Sequence, residues 1–148
     1  MNNSKNNAAK VADFLLQINA VKLQPSNPFK WASGWNSPIY CDNRKILAYP
    51  KIREFIKNEF ISLIKEFDTP TCIAGVATGG IAIGAIVAEE LGLPFCYVRS
   101  ESKSHGMKNN IEGELKQEDK VFVIEDLISS GKSSIKAVKD LKEFGVEI

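Results

Sequence analysis

At 148 residues, with 44% apolar and 25% charged side chains, the chain has the length and composition of one globular domain. Its 19 basic residues balance 18 acidic ones, for a net charge of +1, so neither a nucleic-acid nor a membrane partner is expected. Cys41, Cys72 and Cys96 are odd in number, far apart and without a C-x-x-C pair, which argues against a disulfide framework or a zinc site and for a reducing, cytoplasmic setting.

The N-terminal MNNSKNNAAK is polar and lacks the apolar core of a signal peptide. Residues 8–20 place Val11, Phe14, Leu15 and Ile18 at helical spacing, which predicts a packing helix with a frayed start. Pro25 and Pro28 break residues 23–31 into a loop or edge strand. In FKWASGWNSPIYCDNR, residues 29–44, Ser33-Gly34 and Asn36-Ser37-Pro38 signal turns, and Ile39 to Cys41 reads as a short strand. The two tryptophans and the tyrosine of this stretch suit either a small satellite core or a ligand pocket.

Residues 50–67 form the clearest helix. Pro50 suits its first turn, and Ile52, Phe55, Ile56, Leu63, Ile64 and Phe67 draw one apolar stripe. Thr71 to Ala77 then reads as a buried strand, Thr78-Gly79-Gly80 as a tight turn, Ile81 to Leu91 as a helix stopped by Gly92, and Pro94 to Arg99 as the next strand. Cys72 to Ala88 carries no charge and includes Gly80-x-x-x-Gly84, but it is short for a bilayer and rich in glycine, so strand, turn and helix explain it better. A strand–helix–strand unit implies a parallel pair, and ligands of such sheets bind at the carboxyl ends of the strands.

Residues 100–110, SESKSHGMKNN, make a polar arm, either a surface loop or a lid, and residues 111–115 suit a short returning strand. Val121 to Ile124 is a fully apolar run that suits a strand buried on both faces. It delivers Glu125 and Asp126, followed by the small polar turn Ser129-Ser130-Gly131-Lys132-Ser133. A helix runs from about Gly131 to Phe144, phased by Ile135, Val138, Leu141 and Lys142, and ends at Gly145. Val146-Glu147-Ile148 reads as the start of another strand. No repeat or linker divides the chain, so residues 1–148 read as a single domain.

Carboxylates at a strand end can hold hydroxyls or a hard cation such as Mg2+. Free N–H groups at a helix start can hold a phosphate. Their adjacency suggests a phosphorylated sugar. Gly131-Lys132-Ser133 looks like the tail of a Walker A loop, but that loop needs a glycine where Asp126 stands. No G-x-G-x-x-G, H-E-x-x-H or G-x-S-x-G is present.

VFVIEDLISSGKS resembles the phosphoribosyl-diphosphate (PRPP) signature of the type I phosphoribosyltransferases. FKWASGWNSPIYCDNR, GVATGGIAIG and VRSESKSHGMKNNIEGEL are similar to the N-terminal segment, diphosphate loop and catalytic loop of its orotate phosphoribosyltransferase branch. The resemblance implies an α/β type I phosphoribosyltransferase fold: a central, mostly parallel sheet flanked by helices, with a small N-terminal hood and a flexible catalytic loop. It implies transfer of the phosphoribosyl group from PRPP to orotate, with Mg2+ as cofactor. The products would be orotidine 5'-monophosphate and diphosphate, in pyrimidine biosynthesis.

By resemblance, Glu125 and Asp126 bind the ribose hydroxyls, with Mg2+ held mainly through PRPP near them. Ser129, Ser130, Gly131, Lys132 and Ser133 wrap the 5'-phosphate, Leu127 and Ile128 bind PRPP with them, and Thr78, Gly79 and Gly80 form the diphosphate loop. Arg99, Lys103 and His105 are placed at the diphosphate as catalytic residues with Asp126, and Ser129, Tyr40 and Arg44 near orotate. Some family members carry lysine where Gly79 and Ala32 stand here. The family's catalytic loop is shared between the subunits of a homodimer. Family members also continue past the position of Ile148, in a part that completes the sheet and supplies an arginine for the orotate carboxylate. The alternatives are a PRPP-binding module without catalysis and a transferase for another base.

Overall fold

The computed structural model describes residues 2–31, 34–67, 69–99 and 110–148, with the side chains of residues 2–5 left aside. Lys103 and His105, and the arm that carries them, lie outside the described residues. The chain forms two compact units, Met1–Ile56 and Lys57–Ile148.

The first unit opens with α1 (Asn2–Gln17). The helix starts well before residue 8, where a frayed start was expected. It ends where Asn19 takes a positive φ of 53°, a conformation asparagine tolerates better than most residues. Two small antiparallel ribbons follow. β1 (Val21–Leu23) pairs with β4 (Ile39–Cys41), and β2 (Phe29–Lys30) pairs with β3 (Asn36–Ser37). Residues 23–31 therefore contribute edge pieces to two ribbons. The indole N–H of Trp31 donates to the Ile39 carbonyl at 2.9 Å, which braces the turn, while Trp35 stays exposed. A 3-10 helix (Asn43–Ala48) leads into α2 (Pro50–Phe67), which runs on into the second unit. The core of the first unit is Ile18, Ala20, Ile46 and Ile52, with Phe14, Leu15, Leu47 and Ile56 packed against it. Phe14 and Phe55 meet edge to face at 5.4 Å.

The second unit is built on one four-stranded sheet of order β7-β6-β5-β8, made of β5 (Cys72–Val76), β6 (Phe95–Val98), β7 (Ile111–Glu112) and β8 (Val121–Ile124). β5 is parallel to both β6 and β8, while β7 returns antiparallel on β6, so the sheet is mixed. All five residues of β5 are buried, as its continuous apolar run implies. Cys72, Ala74 and Val76 share one face with Cys96, Val98 and Val121, and this face packs on Ala137 and Leu141 of α4 (Lys132–Phe144). α3 (Gly79–Leu91) joins β5 to β6 and ends at Gly92, whose φ of 66° favours glycine. It packs chiefly on β5: Gly84 approaches Gly75 and the Phe95 ring so closely that a Cβ there would lie 2.8 Å from Phe95. The Gly80-x-x-x-Gly84 pattern is thus a helix-on-sheet contact.

Two helix phases differ from expectation. On α2, Ile64 is buried, but Leu63 and Phe67 are exposed, so only part of the stripe is covered. On α4, Ile135 is 68% exposed, and the buried positions are Ala137 and Leu141. Ile135 leans back instead over Gly131 at the start of its own helix. In the strand start expected at Val146–Ile148, Glu147 forms a parallel bridge with Lys120 beside β8. Because Ile64 is sealed, Ile64→Val should cost about 0.5–1.5 kcal/mol in urea unfolding with an unchanged m-value.

Candidate active site

The second unit brings two loops together at one edge of the sheet. β5 and β8 are parallel neighbours, so their carboxyl ends lie on the same rim. From β5 the chain crosses through α3 to β6 on one side. From β8 it crosses through α4 to the Lys120–Glu147 bridge on the other. The crossovers diverge between β5 and β8, and such a switch point leaves a crevice where ligands bind.

The loop after β5 contains Ala77 and Thr78, joined by a cis peptide, and leads into Gly79 and Gly80, the first residues of α3. Thr78 is exposed, and its hydroxyl makes no capping hydrogen bond. The loop after β8 runs from Glu125 to Gly131. Leu127, Ile128, Ser129 and Ser130 are exposed there, as are Lys132 and Ser133 in the first turn of α4. Gly131 has a φ of 76°, a left-handed conformation that closes the loop onto the helix. Neither helix carries an acid in its first turn, so both amide ends suit an anion.

The loops touch. A Cβ on Gly79 would lie 2.0 Å from an Asp126 carboxylate oxygen, and one on Gly80 would lie 2.4 Å from the Ile124 carbonyl. The small residues expected to admit a ligand also admit the protein itself: they let the start of α3 rest on the end of β8. The Asp126 carboxylate fills the space a side chain at position 79 would take. A lysine there would require Asp126 to swing away.

Glu125 is half-buried and fixed at both oxygens. It accepts the Asp126 backbone N–H at 3.2 Å and the Ser134 hydroxyl at 3.3 Å. Burial, first, and its hydrogen bond to the neighbouring Asp126 carboxyl raise its pKa to about 7. A carboxyl raised in the folded state holds more protons there than in the unfolded chain. Its contribution to stability is therefore full below about pH 4.5 and is lost as pH rises toward 7. Since Glu125 is partly solvated and screened, the change should be on the order of 1 kcal/mol. Glu125→Gln should flatten this part of the stability–pH profile, as read by urea unfolding between the two pH values.

Arg99 stands just past β6 on the same edge. Its backbone N–H donates to Asn110 at 2.8 Å, and its guanidinium pairs with Glu112 of β7 at 3.2 Å. Tyr40 and Arg44 belong to the first unit. The Tyr40 ring lies 5.5 Å from that of Phe29, and the Arg44 guanidinium pairs with Asp42 at 2.8 Å. Ser134 and Glu112 hold Glu125 and Arg99, respectively, without belonging to the residues expected there. Ser134 carried one signal, its place in the first turn after Gly131. Glu112 lay in the returning strand expected over residues 111–115, but its pairing with Arg99 follows only from the antiparallel register of β7 on β6.

Among the described residues no group of three or more His, Cys, Asp or Glu side chains is placed to hold a metal by itself, and no helix is long and apolar enough to cross a membrane. None of the three cysteines is in a disulfide.

A family model described as a phosphoribosyl transferase domain matches residues 43–148. The chain is 59% identical over 139 residues to an orotate phosphoribosyltransferase of Porphyromonas gingivalis, covering 93% of this chain and 66% of that protein. It is 57% identical over 145 residues to the orotate phosphoribosyltransferase of Bacteroides thetaiotaomicron, covering 97% and 68%. Among solved structures, the orotate phosphoribosyltransferase of Aeropyrum pernix superposes with a TM-score of 0.78 at 29% identity, covering 93% of this chain and 76% of that one. The chain thus spans about two thirds of the length of the curated relatives it matches.

Proposed function

We infer that this chain, which belongs to the phosphoribosyltransferase family, transfers the 5-phosphoribosyl group of PRPP to orotate, giving orotidine 5'-monophosphate and diphosphate. The observation that carries the reading is the meeting of the Thr78–Gly80 and Glu125–Ser133 loops at the switch point between β5 and β8. There a carboxylate pair lies between two helix amino ends. That is the charge pattern a ribose carrying a phosphate at one end and a diphosphate at the other would meet.

In this reading Glu125 and Asp126 accept the ribose hydroxyls. Ser129, Ser130, Gly131, Lys132 and Ser133 surround the 5'-phosphate, with Leu127 and Ile128 in the same loop. Thr78, Gly79 and Gly80 receive the diphosphate. As the bond from ribose C1 to the diphosphate oxygen breaks and the bond to the orotate nitrogen forms, positive charge grows on the ribose and negative charge on the leaving oxygens. The carboxylates oppose the first charge, and the helix amides, Arg99, Lys103 and His105 the second. Tyr40, Arg44 and Ser129 are assigned to orotate. The all-oxygen donor set of this rim suits a hard cation. Mg2+ arriving with PRPP, held largely by PRPP's own oxygens, would supply charge neutralisation. The family match crosses the boundary between the two units, which supports reading residues 1–148 as part of one phosphoribosyltransferase domain. A cytoplasmic homodimer with a shared catalytic loop completes the proposal.

The test is loss of orotate absorbance with PRPP and Mg2+. No turnover by folded, dimeric protein would refute the activity for this chain. Mg2+-dependent PRPP binding without turnover would reduce the reading to a non-catalytic PRPP-binding module.

A further inference from the structure

We propose that Ser134 is a positioning residue, which sets the Glu125 carboxylate for PRPP by tying it to the first turn of α4. The proposal rests on the assignment of Glu125 to the ribose hydroxyls and of the Gly131 turn to the 5'-phosphate. The two acids of the rim are held by different elements. Asp126 lies against Gly79 at the start of α3. Glu125 gives one oxygen to the adjacent Asp126 N–H and the other to the Ser134 hydroxyl at 3.3 Å.

Glutamate has one more rotatable bond than aspartate, and fixing so free a side chain carries an entropic cost. The Asp126 N–H is a neighbour in the chain and cannot relate Glu125 to any other part of the site. Ser134 can: it belongs to α4, whose first turn begins at Lys132, next to Gly131. Its hydroxyl therefore sets the distance from the carboxylate to the phosphate-binding turn, two contacts that one ribose 5-phosphate must make together. Such preorganisation lowers the ordering cost of binding.

The experiment measures binding by calorimetry for the wild type, Ser134→Ala and Ser134→Thr, with three probes: PRPP with Mg2+, ribose 5-phosphate, and inorganic phosphate. At about pH 8.5, where Glu125 is ionised, the alanine variant should bind PRPP and ribose 5-phosphate roughly tenfold more weakly, the weight of one hydrogen bond to a charged group. Its affinity for inorganic phosphate should be unchanged, and threonine, which keeps the hydroxyl, should restore most of the loss. Equal weakening toward all three probes would mean that the turn itself had been disturbed, and would overturn the proposal. So would an alanine variant that binds like the wild type, or a threonine variant that fails to rescue. Wild-type protein that binds PRPP but does not turn over would refute the catalytic reading alone, since the ratios between variants still decide the role of Ser134. Wild-type protein that binds neither sugar phosphate would refute both.

Discussion

Replacing Asp126 with asparagine should lower kcat/KM for PRPP roughly 100-fold while leaving the melting temperature unchanged or slightly higher. A hydrogen bond to a charged group carries about 1.5–3 kcal/mol, roughly 10- to 150-fold in rate, and here the charge also opposes the positive ribose of the transition state. Stability has one reason to rise. Asp126 lies at the rim, next to a second carboxyl whose proton affinity it raises, so removing its charge relieves repulsion. Asparagine keeps the backbone N–H that Glu125 accepts. Steady-state kinetics and a thermal melt of the same preparation decide the matter. A variant that melts early would show the acid to be structural, and one that keeps full activity would remove Asp126 from the chemistry.

Gly80→Ala should have the opposite profile and destabilise the protein by roughly 2–3 kcal/mol. In an ordinary helix this change would gain up to about 1 kcal/mol, because alanine is the better helix former. Here the new methyl would lie 2.4 Å from the Ile124 carbonyl, an atom of the backbone that no side-chain rotation can move aside. Either α3 lifts from β8 or β8 shifts at the point where it delivers Glu125. Urea unfolding gives the free energy. An alanine variant as stable as the wild type would mean that α3 does not rest on β8.

These two residues show what the sequence could and could not say. Asp126 was legible because its position relates to its neighbours along the chain: four apolar residues, two acids, then a small-residue turn. Thr78-Gly79-Gly80 was legible for the same reason. The partner of Gly80 was not, since the Ile124 carbonyl lies far along the chain and contacts it only after β5 and β8 pair. Periodicity also placed the long helices but not all of their buried faces. Leu63, Phe67 and Ile135 fit the apolar phase and yet remain exposed, because burial depends on what packs against each face of a helix. The short ribbons β1 to β4 carry too few residues for alternation to register. Ser134 was one serine among four in six residues until α4 turned it toward Glu125.

The central position of β5 has a consequence in time. The strand is buried along its whole length and hydrogen-bonded to a strand on each side. Its amides can exchange with deuterium only when most of the unit opens, so they should exchange last and report the global unfolding free energy. The two-residue ribbon of β2 and β3 should exchange far sooner. Thr78, two residues beyond β5, thus hangs from the slowest-exchanging backbone in the unit, and the loop it begins can be rebuilt in place while the strand beneath it stays closed.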